Sequence, residues 1–276
     1  MRILHTSDWH LGQHFYGKSR APEHKKFLSW LLELVVEQDI DAIVVAGDIF
    51  DTGTPASYAR ELYFDFVVKV QALNCQLIIL AGNHDSVTML GESKLLLASL
   101  STRVIPVASP DVGDQLCLIK DKEGNDGAVI CAVPFLRPRD LVKSKAGHTS
   151  QQKQQELQQA IGEHYQQLYD RALQLAQEKL PILATGHLTT VGATTSDSVR
   201  EIYIGTLDAF PASAFPPFDY IALGHIHKPQ LVAKSEHIRY CGSPIPLSFD
   251  EASQEKQLLL VEFEQKTMKQ VRPIKV

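Results

Sequence analysis

Cysteine is scarce in this 276-residue chain. Cys75, Cys117, Cys131 and Cys241 fall without C-x-x-C spacing, which argues against a disulfide framework or a zinc knuckle. Buried thiols in a reducing compartment are expected instead. No apolar run approaches the roughly 20 residues that span a bilayer. The Met1–Asp8 opening turns polar too early for a signal peptide. A soluble, cytoplasmic protein with no membrane association is expected. Positive charge is not in excess: the formal net charge is −5 and the sequence pI about 6.1. Composition alone therefore does not point to nucleic acid. Two local basic stretches exist, Lys18, Arg20, Lys25 and Lys26, and Arg137, Arg139, Lys143 and Lys145. Taken alone, both read as solvated surface. Internal repeats and clear linkers are lacking, so one domain over residues 1–276 is expected.

What is present is ordinary globular composition, 44% hydrophobic and 21% charged, enough for a large core. Short strands are expected at Met1–Ser7, Ala42–Ala46 and Gln76–Ala81, with helices at Pro22–Gln38 and Pro55–Leu73 between them. That alternation predicts an α/β fold with right-handed crossovers and a mostly parallel sheet. Shorter strands follow at Arg103–Ala108, Gln115–Ile119 and Ala128–Phe135. Gln151–Glu178 keeps apolar spacing through Leu157, Ile161, Tyr165, Leu168, Leu173 and Leu175, and reads as a long, mostly exposed helix. Pro181–Thr185 and Tyr220–Leu223 read as strands. Ile238–Cys241, Gln257–Glu264 and Gln270–Val276 read as antiparallel strands.

Five segments carry the chemistry: Asp8-Trp9-His10, Gly47-Asp48-Ile49-Phe50-Asp51, Gly82-Asn83-His84-Asp85, Gly186-His187 and Gly224-His225-Ile226-His227. Each follows a short, mostly apolar stretch. In an open α/β sheet, functional groups collect beyond the carboxyl ends of the strands. Oxygen and nitrogen donors without thiolate suit two divalent cations sharing a carboxylate, the arrangement that cleaves phosphate esters. Asp8 and His10, at i and i+2, point to one side and can reach one ion, completed by His227. Asn83, His187 and His225 are assigned to the second ion, and Asp48 to the shared position. His84 is placed beside the ions to stabilise or protonate the leaving oxygen, with Asp85 orienting it through a hydrogen bond. Asp51 reads equally as a supporting carboxylate or as turn chemistry with Thr52 and Gly53. His5, His14, His24, His148, His164 and His237 read as ordinary histidines. No Ser or Cys stands among the motifs as a poised nucleophile.

These segments, in this order, resemble the pattern of the calcineurin-like metallophosphoesterases: D-x-H, G-D-x-x-D, G-N-H-[DE], G-H, G-H-x-H. Further stretches resemble bacterial nuclease subunits of the SbcD type within that superfamily. These are Ile3–Gly12, Ala46–Gly53, Pro134–Arg139, Gly186–Ala193, Ile202–Gly205, Ala222–His227 and Tyr240–Phe249. The resemblance implies a four-layer α-β-β-α sandwich and two Mn²⁺ ions. It implies exonuclease action on double-stranded DNA ends and endonuclease action on hairpins and single strands. An SbcC-type ATPase partner and a homodimer are implied as well. Archaeal and eukaryotic members carry His where this chain has Asp51. Chains of the SbcD type continue into a DNA-capping and partner-docking region, whereas this one stops at Val276. It is expected to be a fragment with its active-site chemistry intact and its grip on DNA and partner weakened. Two rival readings stay open: a small-substrate phosphatase or phosphodiesterase of the same superfamily, and a non-catalytic, metal-stabilised scaffold.

Overall fold

A computed structural model describes residues 1–142, 147–199 and 209–276. Lys143, Lys145 and the Ile202–Gly205 segment lie outside the described residues. The chain runs β1 (Arg2–Thr6), β2 (His14–Phe15), β3 (Lys18–Ser19), α1 (Ala21–Glu37), β4 (Ala42–Val45), α2 (Ser57–Ala72) and β5 (Gln76–Leu80). It continues α3 (Val87–Glu92), α4 (Lys94–Ala98), β6 (Thr102–Ile105), β7 (Leu116–Lys120), β8 (Asp126–Cys131), α5 (Pro138–Leu141) and α6 (Ser150–Ala176). It closes with β9 (Ile182–His187), β10 (Tyr220–Gly224), β11 (Gln230–Val232), β12 (Ser235–Tyr240), β13 (Gln257–Glu264) and β14 (Thr267–Lys275).

Two six-stranded sheets form, in the orders β14-β13-β1-β4-β5-β6 and β11-β12-β10-β9-β8-β7. β1, β4, β5 and β6 are parallel, as are β8, β9, β10 and β12. The near-continuous apolar runs of β4 and β5 follow from burial on both faces. One face of the first sheet packs with α1 and α2 through Leu31, Val35, Ile43, Phe66 and Ile79. One face of the second packs with α6 through Ile161, Tyr165, Leu168 and Ala184. Between the sheets lie Ile3, Val44, Ile78, Ile130, Leu183 and Tyr220. The result is the four-layer α-β-β-α sandwich.

Several expectations change. Ser235–Tyr240 is not simply antiparallel: it pairs antiparallel with β11 and parallel with β10. The short β11, which the sequence reading passed over, reverses the chain first and so sets that direction. The strand expected to reach Phe135 ends at Cys131, because Thr185 Oγ1 takes over the backbone of Val133, accepting from its amide at 2.7 Å and donating to its carbonyl at 2.9 Å. Leu173 and Leu175 of α6 are exposed. Its buried stripe instead ends on Ala172 and Ala176, which continue the helical period from Leu157, Ile161, Tyr165 and Leu168. The β2–β3 hairpin and the short helices α3 and α4 are further additions.

Candidate metal centre

The i, i+2 pairs face one way because the residue between them is an apolar anchor. Trp9 is fully buried, edge-on to Phe27 and Phe66 at centroid distances of 5.9 and 5.3 Å, in the core of the first sheet. Ile226 is fully buried in the core of the second. Asp8 with His10, and His225 with His227, are left facing the cleft where the two sheets meet. The loops after β1 and β4 pair beyond the strand ends: Asp8 N donates to Gly47 O at 3.0 Å and His10 N to Asp48 O at 3.1 Å. Asp8, His10, Asp48 and His225 all adopt positive φ (54°, 47°, 51° and 90°). Such conformations cost energy and concentrate where a site imposes them. Gly82 is required for a different reason: a Cβ there would lie 2.1 Å from Asp48 Oδ1.

The side chains form one connected group. His10 Nδ1 donates to Asp51 Oδ1 at 3.2 Å, and its Nε2 lies 3.6 Å from Asp48 Oδ2. His187 Nδ1 donates to Ala46 O at 2.9 Å, and its Nε2 lies 3.3 Å from Asp48 Oδ2 and 2.9 Å from Asn83 Oδ1. His225 Nδ1 donates to Asn83 Oδ1 at 3.2 Å, while its backbone N–H donates to Asp8 Oδ1 at 3.0 Å. His84 N donates to Asp48 Oδ1 at 2.9 Å, and the ring meets His10 at a centroid distance of 4.7 Å. The His227 ring centroid lies 5.2 Å from that of His10, so all seven expected ligand residues and His84 are brought together, joined by Asp51. His84 Nδ1 donates to the carbonyl of Asp51 at 2.8 Å. The orienting contact expected from Asp85 is therefore supplied here by the Asp51 backbone. Asp85 instead accepts from the amides of Gly82, Ile49 and Phe50 at 2.8, 3.1 and 3.0 Å and shapes the loop that carries Asp48.

The donor chemistry fits cations. Among the described residues, three groups of donor atoms, each within 4.8 Å of one another, could hold an ion: Asp8, His10 and His227; Asp8, Asp48 and His187; His10, Asp48 and His84. His10 Nε2 and His225 Nε2 are buried and lack a hydrogen-bond partner among the described residues. A buried, unpaired ring nitrogen is costly unless something electrophilic takes its lone pair.

The calcineurin-like phosphoesterase model matches residues 1–229. The chain belongs to the calcineurin-like phosphoesterase family. The SbcD component of the SbcCD nuclease of Escherichia coli K12 is 56% identical over all of this chain and 68% of the relative. The corresponding proteins of Rhodobacter capsulatus and Bacillus subtilis are 34% and 30% identical, each over 95% of this chain and 66% of the relative. A dimetal phosphatase from Danio rerio, 13% identical, superposes with a TM-score of 0.52 over 99% of this chain and 98% of its own and shares the fold. Family and donor set together make this phosphoesterase dependent on divalent metal. Among the described residues, no helix is long and apolar enough to cross a membrane.

Electrostatics in this phosphoesterase follow from crowding. Burial opposes charge on His187, but the Asp48 carboxylate beside it raises its pKa to about 9. Asp48 is held well below the usual carboxylate range: burial works against its ionisation and is outweighed by His187 and His10. Burial, with the neighbouring charge of Asp48, pushes Asp85 up to about 6, against the pull of its three amides. Burial and the nearby His187 lower His225 well below the ordinary histidine value. His5 pairs with the Tyr220 hydroxyl at 2.9 Å and Leu223 O at 3.2 Å, outside the donor group.

Sequence reasoning missed Glu251, Lys256 and Ser198. His227 Nδ1 lies 3.1 Å from Glu251 Oε1 and 2.6 Å from Ser198 Oγ. Glu251 Oε2 accepts from Lys256 Nζ at 2.7 Å, and both side chains are buried. An acidic residue one turn past Pro246-Leu247 carries no signal in the sequence. Lys256 is five positions on in the same loop, and what buries the pair is the packing of that loop against His227, 24 positions before Glu251.

Proposed function

We propose that this chain is a metal-dependent nuclease that hydrolyses phosphodiester bonds in DNA. The proposed actions are as an exonuclease on double-stranded ends and as an endonuclease on hairpins and single strands. The observation that carries the reading is the placement of Asp48 Oδ2 between His10 Nε2 at 3.6 Å and His187 Nε2 at 3.3 Å, a carboxylate flanked by donors from both sheets. Asp8, His10 and His227 would hold one Mn²⁺ and Asn83, His187 and His225 a second, with Asp48 shared. Bound divalent cations supply the charge that lowers the pKa of an attacking water and neutralises phosphate oxygens.

The chain's own residues do the rest. His84 donates its Nδ1–H to the Asp51 carbonyl, which orients the ring; in its imidazolium form it would give the Nε2 proton to the leaving oxygen. Asp51 Oδ1 fixes the His10 ring through Nδ1. Asp85 holds the Asp48 loop by its amides.

The name of the Escherichia coli, Rhodobacter and Bacillus relatives supports a nuclease and a complex of more than one kind of chain. An SbcC-type ATPase is accordingly the proposed partner. Near the centre, Arg137 donates to Asp85 O at 3.4 Å, its Nη1 is buried without a partner among the described residues, and its guanidinium lies 5.6 Å from the Phe135 ring. Tyr16 and Phe249 are exposed with centroids 4.8 Å apart, a surface suited to stacked bases. A homodimer is proposed as well.

The test compares Mn²⁺-dependent digestion of end-labelled duplex and hairpin DNA with turnover of an aryl phosphate. Loss of DNA that stops on Asp48→Asn is the expected result. Turnover of the aryl phosphate with DNA left intact would overturn the nuclease reading in favour of a small-substrate phosphatase. Metal binding with neither activity would favour a scaffold.

A further inference from the structure

Behind His227 lies a buried polar cluster that the proposed hydrolysis does not use. Glu251 Oε1 accepts from Ser196 Oγ at 2.7 Å and from Ser198 Oγ, and it lies 3.1 Å from His227 Nδ1. Glu251 Oε2 accepts from Leu247 N at 3.0 Å, Ser243 Oγ at 3.3 Å and Lys256 Nζ at 2.7 Å. Lys256 Nζ also donates to the backbone carbonyl of His227 at 3.0 Å. The pair thus grips one residue twice, by its ring through Glu251 and by its main chain through Lys256. Glu251 is fully buried and Lys256 nearly so. Since Ser198 donates its only hydroxyl proton to Glu251, its oxygen is free to accept from His227 Nδ1–H. Every acceptor around Nδ1 therefore demands a proton there. Nε2 is left as the lone-pair nitrogen of the group Asp8, His10 and His227.

We infer that Glu251, backed by Lys256, is a positioning residue that fixes the Nδ1–H tautomer of His227 and so keeps Nε2 open for a divalent cation. The inference rests on the metal reading of the site. A ring held this way is a better ligand, because its tautomer and orientation are fixed before the ion arrives. A purely structural role, in which Glu251 only ties down the Gly242–Phe249 loop through Leu247 N and Ser243, would leave metal affinity untouched.

The test uses the full 276-residue chain. Long-range ¹H–¹⁵N NMR of the metal-free protein reads the His227 tautomer, with His227→Gln identifying the signal. Isothermal titration with Mn²⁺ reads affinity. The double variant Glu251→Gln/Lys256→Met removes both charges together and leaves no buried ion unpaired. We expect the Nδ1–H tautomer in the unaltered chain, and a roughly 10–100-fold loss of Mn²⁺ affinity in the double variant. Ser198→Ala, which leaves the ion pair in place, is expected to lower affinity in the same direction. An Nε2–H tautomer in the unaltered chain overturns the proposal. So does unchanged affinity in a folded double variant. Should the double variant not fold, the tautomer and Ser198→Ala decide. Absence of Mn²⁺ binding by the unaltered chain overturns the metal reading itself, and this inference with it.

Discussion

His187 Nε2 lies 3.3 Å from Asp48 Oδ2 while the opposite ring nitrogen donates to the carbonyl of Ala46 at 2.9 Å. One histidine at the end of β9 thereby joins the second sheet to the loop that leaves β4 in the first. Both nitrogens face oxygen acceptors, which favours the charged ring and accounts for a pKa near 9. A cation arriving at the site must displace that proton.

The first prediction follows from this competition. Metal binding should release protons, and apparent affinity should rise with pH through neutrality and level off near pH 9, where the metal-free ring loses its charge. Titration calorimetry in buffers of different ionisation enthalpy measures the release. An affinity unchanged between pH 7 and pH 9 would contradict it.

His84 is predicted to be dispensable for metal and needed for turnover. His84→Ala removes the Nε2 proton donor and leaves the Asp8, Asp48 and His187 group whole. Cleavage should fall by about 10²–10⁴-fold, the usual worth of a positioned general acid. Mn²⁺ stoichiometry by calorimetry should not change, and loss of metal along with activity would count against the assigned role.

Gly82→Ala should damage the centre without removing any polar group. Its Cβ would meet Asp48 Oδ1 at 2.1 Å and Asp48 N at 2.4 Å, so backbone and carboxylate must both shift. Overpacking of this kind costs about 1–3 kcal/mol. Lower Tm together with weakened Mn²⁺ binding is expected. A variant matching the parent in both would show that the loop yields freely.

The fourth prediction concerns pH and stability away from the centre. His164 on α6 is buried, its Nε2 has no partner among the described residues, and burial lowers its pKa to about 4. Its folded pKa lies below the ordinary value of 6.5. The stability held by the neutral ring is therefore complete above pH 6.5 and is lost as pH falls from there towards 4. His164→Leu should remove that loss, worth about 3 kcal/mol at the acid end. Urea unfolding of both proteins between pH 7 and pH 4 checks it, and parallel pH profiles would refute it.

Much of the framework was legible along the chain because its signals are local. A buried parallel strand announces itself as a short apolar run, as Ala42–Val45 does, and a turn residue with a carboxylate or imidazole after it marks the end. Spacing at i and i+2 also placed Asp8 and His10 on one side, and the anchor between them, Trp9, is the physical reason. Where local signals compete, distant contacts decide. Thr185 captured the Val133 backbone from 52 positions away and shortened a strand, and two leucines of α6 lost their place in the core to alanines.

The sequence by itself determined which residues end strands and which chemistry they carry, since apolar runs, glycines and donor types are written residue by residue. Only the tertiary structure decided which donors meet, how each ring is turned and what stands behind it. Asp48 faces His187 because the two sheets pack face to face, Asp51 rather than Asp85 orients His84 because β4 and β5 lie side by side in one sheet, and Glu251 lies against His227 because the loop before β13 folds back on the one after β10. Such contacts depend on the relative placement of layers, strands and loops, and no short stretch of sequence encodes that.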